Sequence, residues 1–160
     1  MDFPWFYHNR TTLDDSGDRF INCENPAFFS HNLVNRHSVY NERKEGVINS
    51  DYRPMFTDIV HRLLKSSTTK IYRAALNLTW GNNTKDYTIP HTDHGFTHNN
   101  LIVYLNEFTN GYTYLLDDLL RIRETIIPKP RMAVKFPGMN HCVGFCNHNE
   151  IRLVLVVTYE

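Results

Sequence analysis

The chain predicts a mainly β fold, and three features carry that expectation. Between residues 70 and 160, short runs rich in β-branched and aromatic residues recur at fairly even spacing. Turn-forming residues punctuate them at Gly81-Asn82-Asn83, Asn106, Asp117-Asp118 and Pro137-Gly138. A clear helical repeat of apolar residues occurs in the stretch 54–65. Seven or eight short strands arranged in this way predict a sandwich or a double-stranded β-helix (jelly roll), with one or two N-terminal supporting helices. A chain of 160 residues is expected to be one domain. Residues 1–69 would form a wrapping segment and helix, and residues 70–160 the jelly-roll core.

The elements follow in order. Residues 1–50 are polar and irregular, with aromatic islands at Phe3 to Tyr7 and at Phe28-Phe29, and read as loops and short strands wrapping a core. In 54–65, Pro54 suits a first helical position, and Met55, Phe56, Ile59, Val60, Leu63 and Leu64 fall on one helical face. Ser66-Ser67-Thr68-Thr69 then ends the helix. Strands are expected at 70–80, 88–93, 101–105, 112–116, 132–136, 141–145 and 152–159. The stretch 119–127 reads as a strand or as partly helical.

Composition narrows the function classes. Hydrophobic content of 41% and charged content of 21% suit a chain that buries a core without disulfides. Seventeen basic and 17 acidic residues cancel, which gives no electrostatic argument for nucleic acid or an anionic membrane as partner. No apolar run approaches a membrane span, and the start lacks the basic-then-apolar layout of a signal peptide. The three cysteines, Cys23, Cys142 and Cys146, are odd in number and form no C-x-x-C, which fits a reducing cytoplasm. Nothing in the sequence indicates an oligomeric state.

The most informative motif is His91-Thr92-Asp93, followed fifty positions later by His141. Two histidines and one carboxylate can hold ferrous iron on one face and leave the opposite positions open. On a strand, side chains at i and i+2 share a face, so His91 and Asp93 can share a metal while Thr92 points away. His141 follows the turn Pro137-Gly138-Met139-Asn140, and a jelly roll brings such distant strand ends together. His94 and His98 are rival ligands; a site built on His94 would be more cupin-like. Cys142 and Cys146 read as core cysteines. Arg152 enters the terminal apolar strand, where its planar fork suits the carboxylate of an acidic cosubstrate.

These residues resemble the 2-oxoglutarate/Fe(II)-dependent oxygenases, in particular the prolyl 4-hydroxylase-like branch. The resemblance covers about residues 70–160 as an ordered series. It runs through Arg73 to Asn77, Pro90-His91-Thr92-Asp93, Ile102-Val103-Tyr104-Leu105-Asn106, Asn110-Gly111-Tyr112-Thr113, the run from Ile127 to Phe136, His141 and Arg152. The opening Phe3-Pro4-Trp5-Phe6-Tyr7 and the Asn-Gly-Tyr-Thr variant also look like small oxygenases carried by marine phages, which would act in a host cytoplasm. The family often has Gly-Gly where this chain has Asn110-Gly111, and Arg152 follows His141 by eleven positions, slightly more than usual.

The resemblance implies a hydroxylase of C–H bonds. His91, Asp93 and His141 would bind Fe(II), with 2-oxoglutarate as cosubstrate and O2 as oxidant, releasing succinate and CO2. Arg152 would hold the distal carboxylate of 2-oxoglutarate, with Tyr104 donating its hydroxyl to the same group and Asn77 bonding the cosubstrate. Trp80 would line the pocket or, more in keeping with its type, pack in the core, and Arg73 would contact substrate or pair with an acid; neither has an assigned role. The primary substrate is peptidyl by default, for example a prolyl residue; a free amino acid, small metabolite or nucleobase stands beside it. Two other classes compete: a cupin-like metalloenzyme that does not use 2-oxoglutarate, and a catalytically silent jelly-roll binding or structural module.

Overall fold

The structure is a computed structural model and describes residues 3–10, 22–37, 42–66, 69–81 and 85–160. In chain order the elements are β1 (Phe6–His8), β2 (Cys23–Glu24), β3 (Phe28–Asn35), β4 (Val47–Ile48), α1 (Arg53–Leu64), β5 (Ile71–Trp80), β6 (Tyr87–Thr88), β7 (Asn99–Tyr104), β8 (Thr113–Leu116), β9 (Ile122–Ile126), β10 (Ala133–Pro137), β11 (His141–Val143) and β12 (Ile151–Tyr159). The major sheet has the order β1-β3-β5-β12-β7-β10, with β4 pairing β3; the minor sheet is β11-β8-β9. Bridges between Tyr87 and Gly144 and between His91 and His141 attach the β6 segment to the free edge of β11. Antiparallel sheets stacked in this way form the expected jelly roll.

Strand alternation sorts the major sheet into two faces. Leu101 and Val103 of β7, Leu155 and Val157 of β12, and Ala74 and Leu76 of β5 form one apolar cluster, which α1 covers through Val60. Ile102, Tyr104 and Val154 point the other way and meet Leu115 and Phe136 between the sheets. β12 pairs with β5 on one side and β7 on the other, so it is enclosed at both edges and its sequence is nearly all branched or apolar.

Helix α1 starts with proline in its first turn and ends at Lys65, whose φ of 56° is a left-handed C-cap. Its apolar stripe is narrower than expected. Phe56, Val60, Leu63 and Leu64 pack on the sheet, whereas Met55 is 67% and Ile59 45% exposed. A helix lying on one flat sheet buries one row, and the neighbouring i−1 row is rotated about 100° away. It is the one helix among the described residues, and 119–127 contains strand β9 with no helix. Positions 67 and 68 of the expected helix-breaking run lie outside the described residues.

Two further expectations change. The strand over 88–93 stops at Thr88, and His91 makes only an isolated bridge. In the N-terminal wrapping segment, β3 is a full eight-residue member of the major sheet. Its period was masked because its buried polar side chains are satisfied by hydrogen bonds rather than replaced by apolar ones. His31 bonds Pro4 O at 2.7 Å and Ser50 Oγ at 2.6 Å, and Ser30 Oγ lies 2.7 Å from His8 Nε2.

Candidate functional site

A cavity of about 920 Å³ lies between the two sheets. Its floor is the inner face of the major sheet, with Asn77 and Thr79 from β5, Asn100 and Ile102 from β7, and Arg152, Val154 and Val156 from β12. Its roof is the segment from Pro90 to Asp93 together with Asn140, His141 and Val143.

The backbone bridge places His91 beside His141. The His91 N–H donates to His141 O at 3.0 Å and the His141 N–H donates to His91 O at 2.9 Å. Such a mutual pair sends both side chains to the same face, and the ring centroids are 4.6 Å apart. Each Nδ1 lies against the carbonyl two residues earlier, Ile89 O at 3.1 Å and Met139 O at 3.0 Å. A carbonyl only accepts, so each Nδ1 carries a proton, which in a neutral ring leaves the Nε2 lone pair for a ligand. Burial, then the neighbouring His141 ring, push the His91 pKa down to about 4, which keeps it neutral at physiological pH.

Asp93 is 3% exposed. Its Oδ1 lies 3.1 Å from Arg36 Nη2 and 3.6 Å from Arg73 Nη1. Its Oδ2 has no hydrogen-bond partner and lies 3.6 Å from His141 Nε2. Burial pushes this carboxyl up, but the two imidazoles and two guanidiniums outweigh it and hold the group well below the usual carboxylate range. Asp93 lies beside His141, but not through the i,i+2 alternation expected of a strand. Asp93 comes to His141 from an irregular bend rather than a strand, and Thr92 lines the cavity instead of pointing away.

Two available imidazole nitrogens and an orphaned buried carboxylate oxygen are the donor chemistry of a ferrous or similar divalent ion. Among the described residues, no three His, Cys, Asp or Glu side chains close on a common point as a finished metal cage; Arg36 and Arg73 hold the Asp93 carboxylate instead. The rival histidines stand outside the cavity lining, although His98 keeps a buried Nε2 without a partner. His94 Nε2 bonds Thr158 Oγ1 at 2.7 Å, and His98 Nδ1 bonds Phe96 O at 2.7 Å; neither ring lines the cavity.

Arg152 is 4% exposed and faces the cavity from β12. Its Nε donates to Gly111 O and its Nη2 to Thr113 Oγ1, both at a long 3.3 Å. Its guanidinium sits 5.6 Å from the Tyr104 ring centroid and 5.9 Å from that of Phe108. It pairs with no carboxylate among the described residues. Tyr104 lies beneath Arg152, with its hydroxyl 2.9 Å from Thr113 Oγ1, and does not itself line the cavity. The Asn110-Gly111 variant has a physical reading: both residues have positive φ, 62° and 60°, which asparagine tolerates and glycine accommodates. A side chain at Gly111 would also strike the Phe108 ring and crowd Arg152.

Asn77 lines the cavity, and its buried Oδ1 has no partner. Asn140 serves in the turn and lines the cavity as well, and Trp80 sits 5.7 Å from Phe29, outside the lining. Cys142 and Cys146 are buried free thiols, as expected. Arg36 and Asn100 are among the lining residues to which the sequence reading gave no individual role. Arg36 sits in the segment read as irregular, and Asn100 opens an apolar run as one polar residue on its inner face.

No protein-family model matches the chain, and no curated protein matches it. Among solved structures it is similar to a crystal structure of an oxidoreductase of the 2OG-Fe(II) oxygenase family from Burkholderia pseudomallei. The TM-score is 0.69 at 12% sequence identity, and the match covers 98% of this chain and 73% of that one. At that identity the likeness is one of fold: the chain has the jelly-roll architecture of that oxygenase.

Proposed function

We propose that the chain is an oxidoreductase of the 2-oxoglutarate/Fe(II)-dependent type that hydroxylates a C–H bond. The observation that carries this reading is the bridge-paired His91 and His141, their Nε2 atoms available, beside the unpartnered Oδ2 of Asp93. His91, Asp93 and His141 would hold Fe(II), which with 2-oxoglutarate and O2 supplies the oxygen activation. The chain's own residues bind and orient. The Ile89 and Met139 carbonyls fix both imidazole tautomers. Arg36, Arg73 and Arg152 line the cavity against one acidic residue, Asp93, a balance that suits a dicarboxylate. Arg152 would take the distal carboxylate in the forked geometry that arginine favours. Tyr104 supports Arg152 through its ring face, and Asn77 offers an amide to the cosubstrate.

The resemblance to prolyl 4-hydroxylase-like and small phage oxygenases makes a prolyl side chain the first substrate to try, in a cytoplasmic setting. One observation favours a second reading. Two arginines already neutralise Asp93, as in a jelly-roll module that binds an anion without metal. Iron content after anaerobic reconstitution and gel filtration separates the two. Stoichiometric iron in the wild type, lost in both His91→Ala and Asp93→Ala, supports the enzyme. Stoichiometric iron retained in His91→Ala rejects this ligand set, and a wild type that takes up no iron favours the anion-binding module.

A further inference from the structure

Asn100 is 1% exposed, lines the cavity, and has neither its Oδ1 nor its Nδ2 in a hydrogen bond. A buried amide with both ends unmet forfeits its hydration on both sides. Its neighbours in the sheet do not relieve it. Thr158, directly opposite on β12, spends its hydroxyl on His94, and Phe136, opposite on β10, has no polar atom in its side chain. Two residues earlier along the strand direction, the buried His98 Nε2 is also without a partner. The Phe136 ring lies 5.6 Å from that of His141, and Asn100 and the candidate metal ligands line the same cavity.

We infer that Asn100 recognises the primary substrate, and that the substrate is a small neutral molecule presenting an N–H and a C=O side by side. An asparagine side chain offers one acceptor and one donor from a single planar group. Both are met at once only by a partner whose donor and acceptor lie on the same edge. A primary carboxamide has that edge, and so does the lactam edge of a pyrimidine base. A trans peptide group does not, because its N–H and C=O point in opposite directions. A carboxylate brings no donor, and the single lining carboxylate, Asp93, is held by two arginines, which leaves no counter-ion for an ammonium. A cavity of about 920 Å³ is large enough for such a molecule beside a cosubstrate. This inference deepens the proposed function by naming its substrate class, sets a small amide or lactam in place of the prolyl residue that the resemblance suggests, and rests on that reading only for the chemistry after binding.

The test is ligand-detected NMR titration of the metal-free full chain, so its outcome does not depend on iron. The probes are propionamide and uracil; N,N-dimethylacetamide, which has no N–H, and N-methylacetamide are the controls, and a carboxylate is avoided because Arg152 would attract it whatever Asn100 does. The expected result is that at least one same-edge probe binds the wild type and both controls bind at least about tenfold more weakly, the loss of two neutral hydrogen bonds. Binding to propionamide alone or to uracil alone supports the inference and identifies the source. Asn100→Leu keeps the branched outline and removes both polar atoms. It should weaken the bound probe by at least about tenfold while raising or preserving the melting temperature. Asn100→Ala serves as the second variant should the leucine fail to fold, with the same loss expected. Equal binding of all four probes, no binding of either same-edge probe, or unchanged binding in the variants overturns the inference. Iron uptake with no same-edge binding would reject this inference alone; same-edge binding without iron uptake would reject the proposed function alone.

Discussion

Replacing Arg152 by methionine separates its cost to the fold from its use in binding. In the wild type the guanidinium is buried, with two hydrogen bonds at 3.3 Å and two aromatic faces as its surroundings. Desolvating it costs several kcal/mol, roughly; two neutral hydrogen bonds return about 1 kcal/mol each and each ring about 0.5–2 kcal/mol. These terms nearly cancel, so Arg152→Met should melt within a few degrees of the wild type when no ligand is present. Removing one partner of a buried charge pair costs about 2–5 kcal/mol of binding, roughly 30-fold to several-thousand-fold in affinity. At 2-oxoglutarate 100-fold above the wild-type Kd, binding stabilises the fold by about 2.7 kcal/mol; a Kd raised about 30-fold leaves about 0.9 kcal/mol. For a chain of this size those values correspond to melting shifts of about 5–11 °C and about 2–3 °C. The assay is anaerobic thermal unfolding with Fe(II), with and without 2-oxoglutarate. An undiminished 2-oxoglutarate shift in Arg152→Met would refute the reasoning, because the other cations lining the cavity, Arg36 and Arg73, are engaged with Asp93, and Lys129, Arg131 and Lys135 do not line it.

His94→Ala should retain iron while lowering stability by about 1–3 kcal/mol, since it strands the fully buried Thr158 hydroxyl; loss of iron in that variant would revive the cupin-like reading. Gly81→Ala should lower the melting temperature by an amount equivalent to at least about 1–3 kcal/mol, because a methyl group there meets the Cys146 and Asn147 carbonyls. A melting temperature equal to wild type would show that the contact between the end of β5 and that turn is loose. Glu150 accepts hydrogen bonds from Thr109 N at 2.8 Å and Thr109 Oγ1 at 2.9 Å, and the Thr109 backbone bond leads in holding its carboxyl below the ordinary value. Its stabilising effect is therefore complete above the unfolded pKa of about 4.3 and is lost as pH falls through the lower folded value. Glu150→Gln should lower the melting temperature near neutral pH, and the deficit should vanish in strong acid; a deficit independent of pH would point to some other cause.

The long strands were legible because their chemistry is one-sided. In β12, Leu155 and Val157 face the helix and Val154 and Val156 face the minor sheet, so every position is apolar except Arg152 and Thr158 at the ends of that inner row. That contrast is also why Arg152 stood out. β3 was hidden for the opposite reason: its buried polar residues are satisfied by partners at Pro4, His8 and Ser50, far away in sequence. His91, Asp93 and His141 were legible as residue types at chain positions, and the structure brings them to one wall. The irregular path through Thr92 was not, because a two-residue strand and one isolated bridge leave no periodic trace. Arg36 was invisible because nothing local marks it; it reaches Asp93 across 57 positions of sequence. Asn100 carried a signal that went unread, a polar residue on the inner side of an otherwise apolar strand.

The central claim is that His91, Asp93 and His141 form a centre where iron and 2-oxoglutarate meet. Its most direct test is an anaerobic titration of the metal-free chain with Fe(II) and then 2-oxoglutarate, followed by visible absorption. The account predicts a saturable charge-transfer band that appears only when both are present and is lost in His141→Ala. Iron that binds without any such band, or a band that survives in His141→Ala, would contradict it.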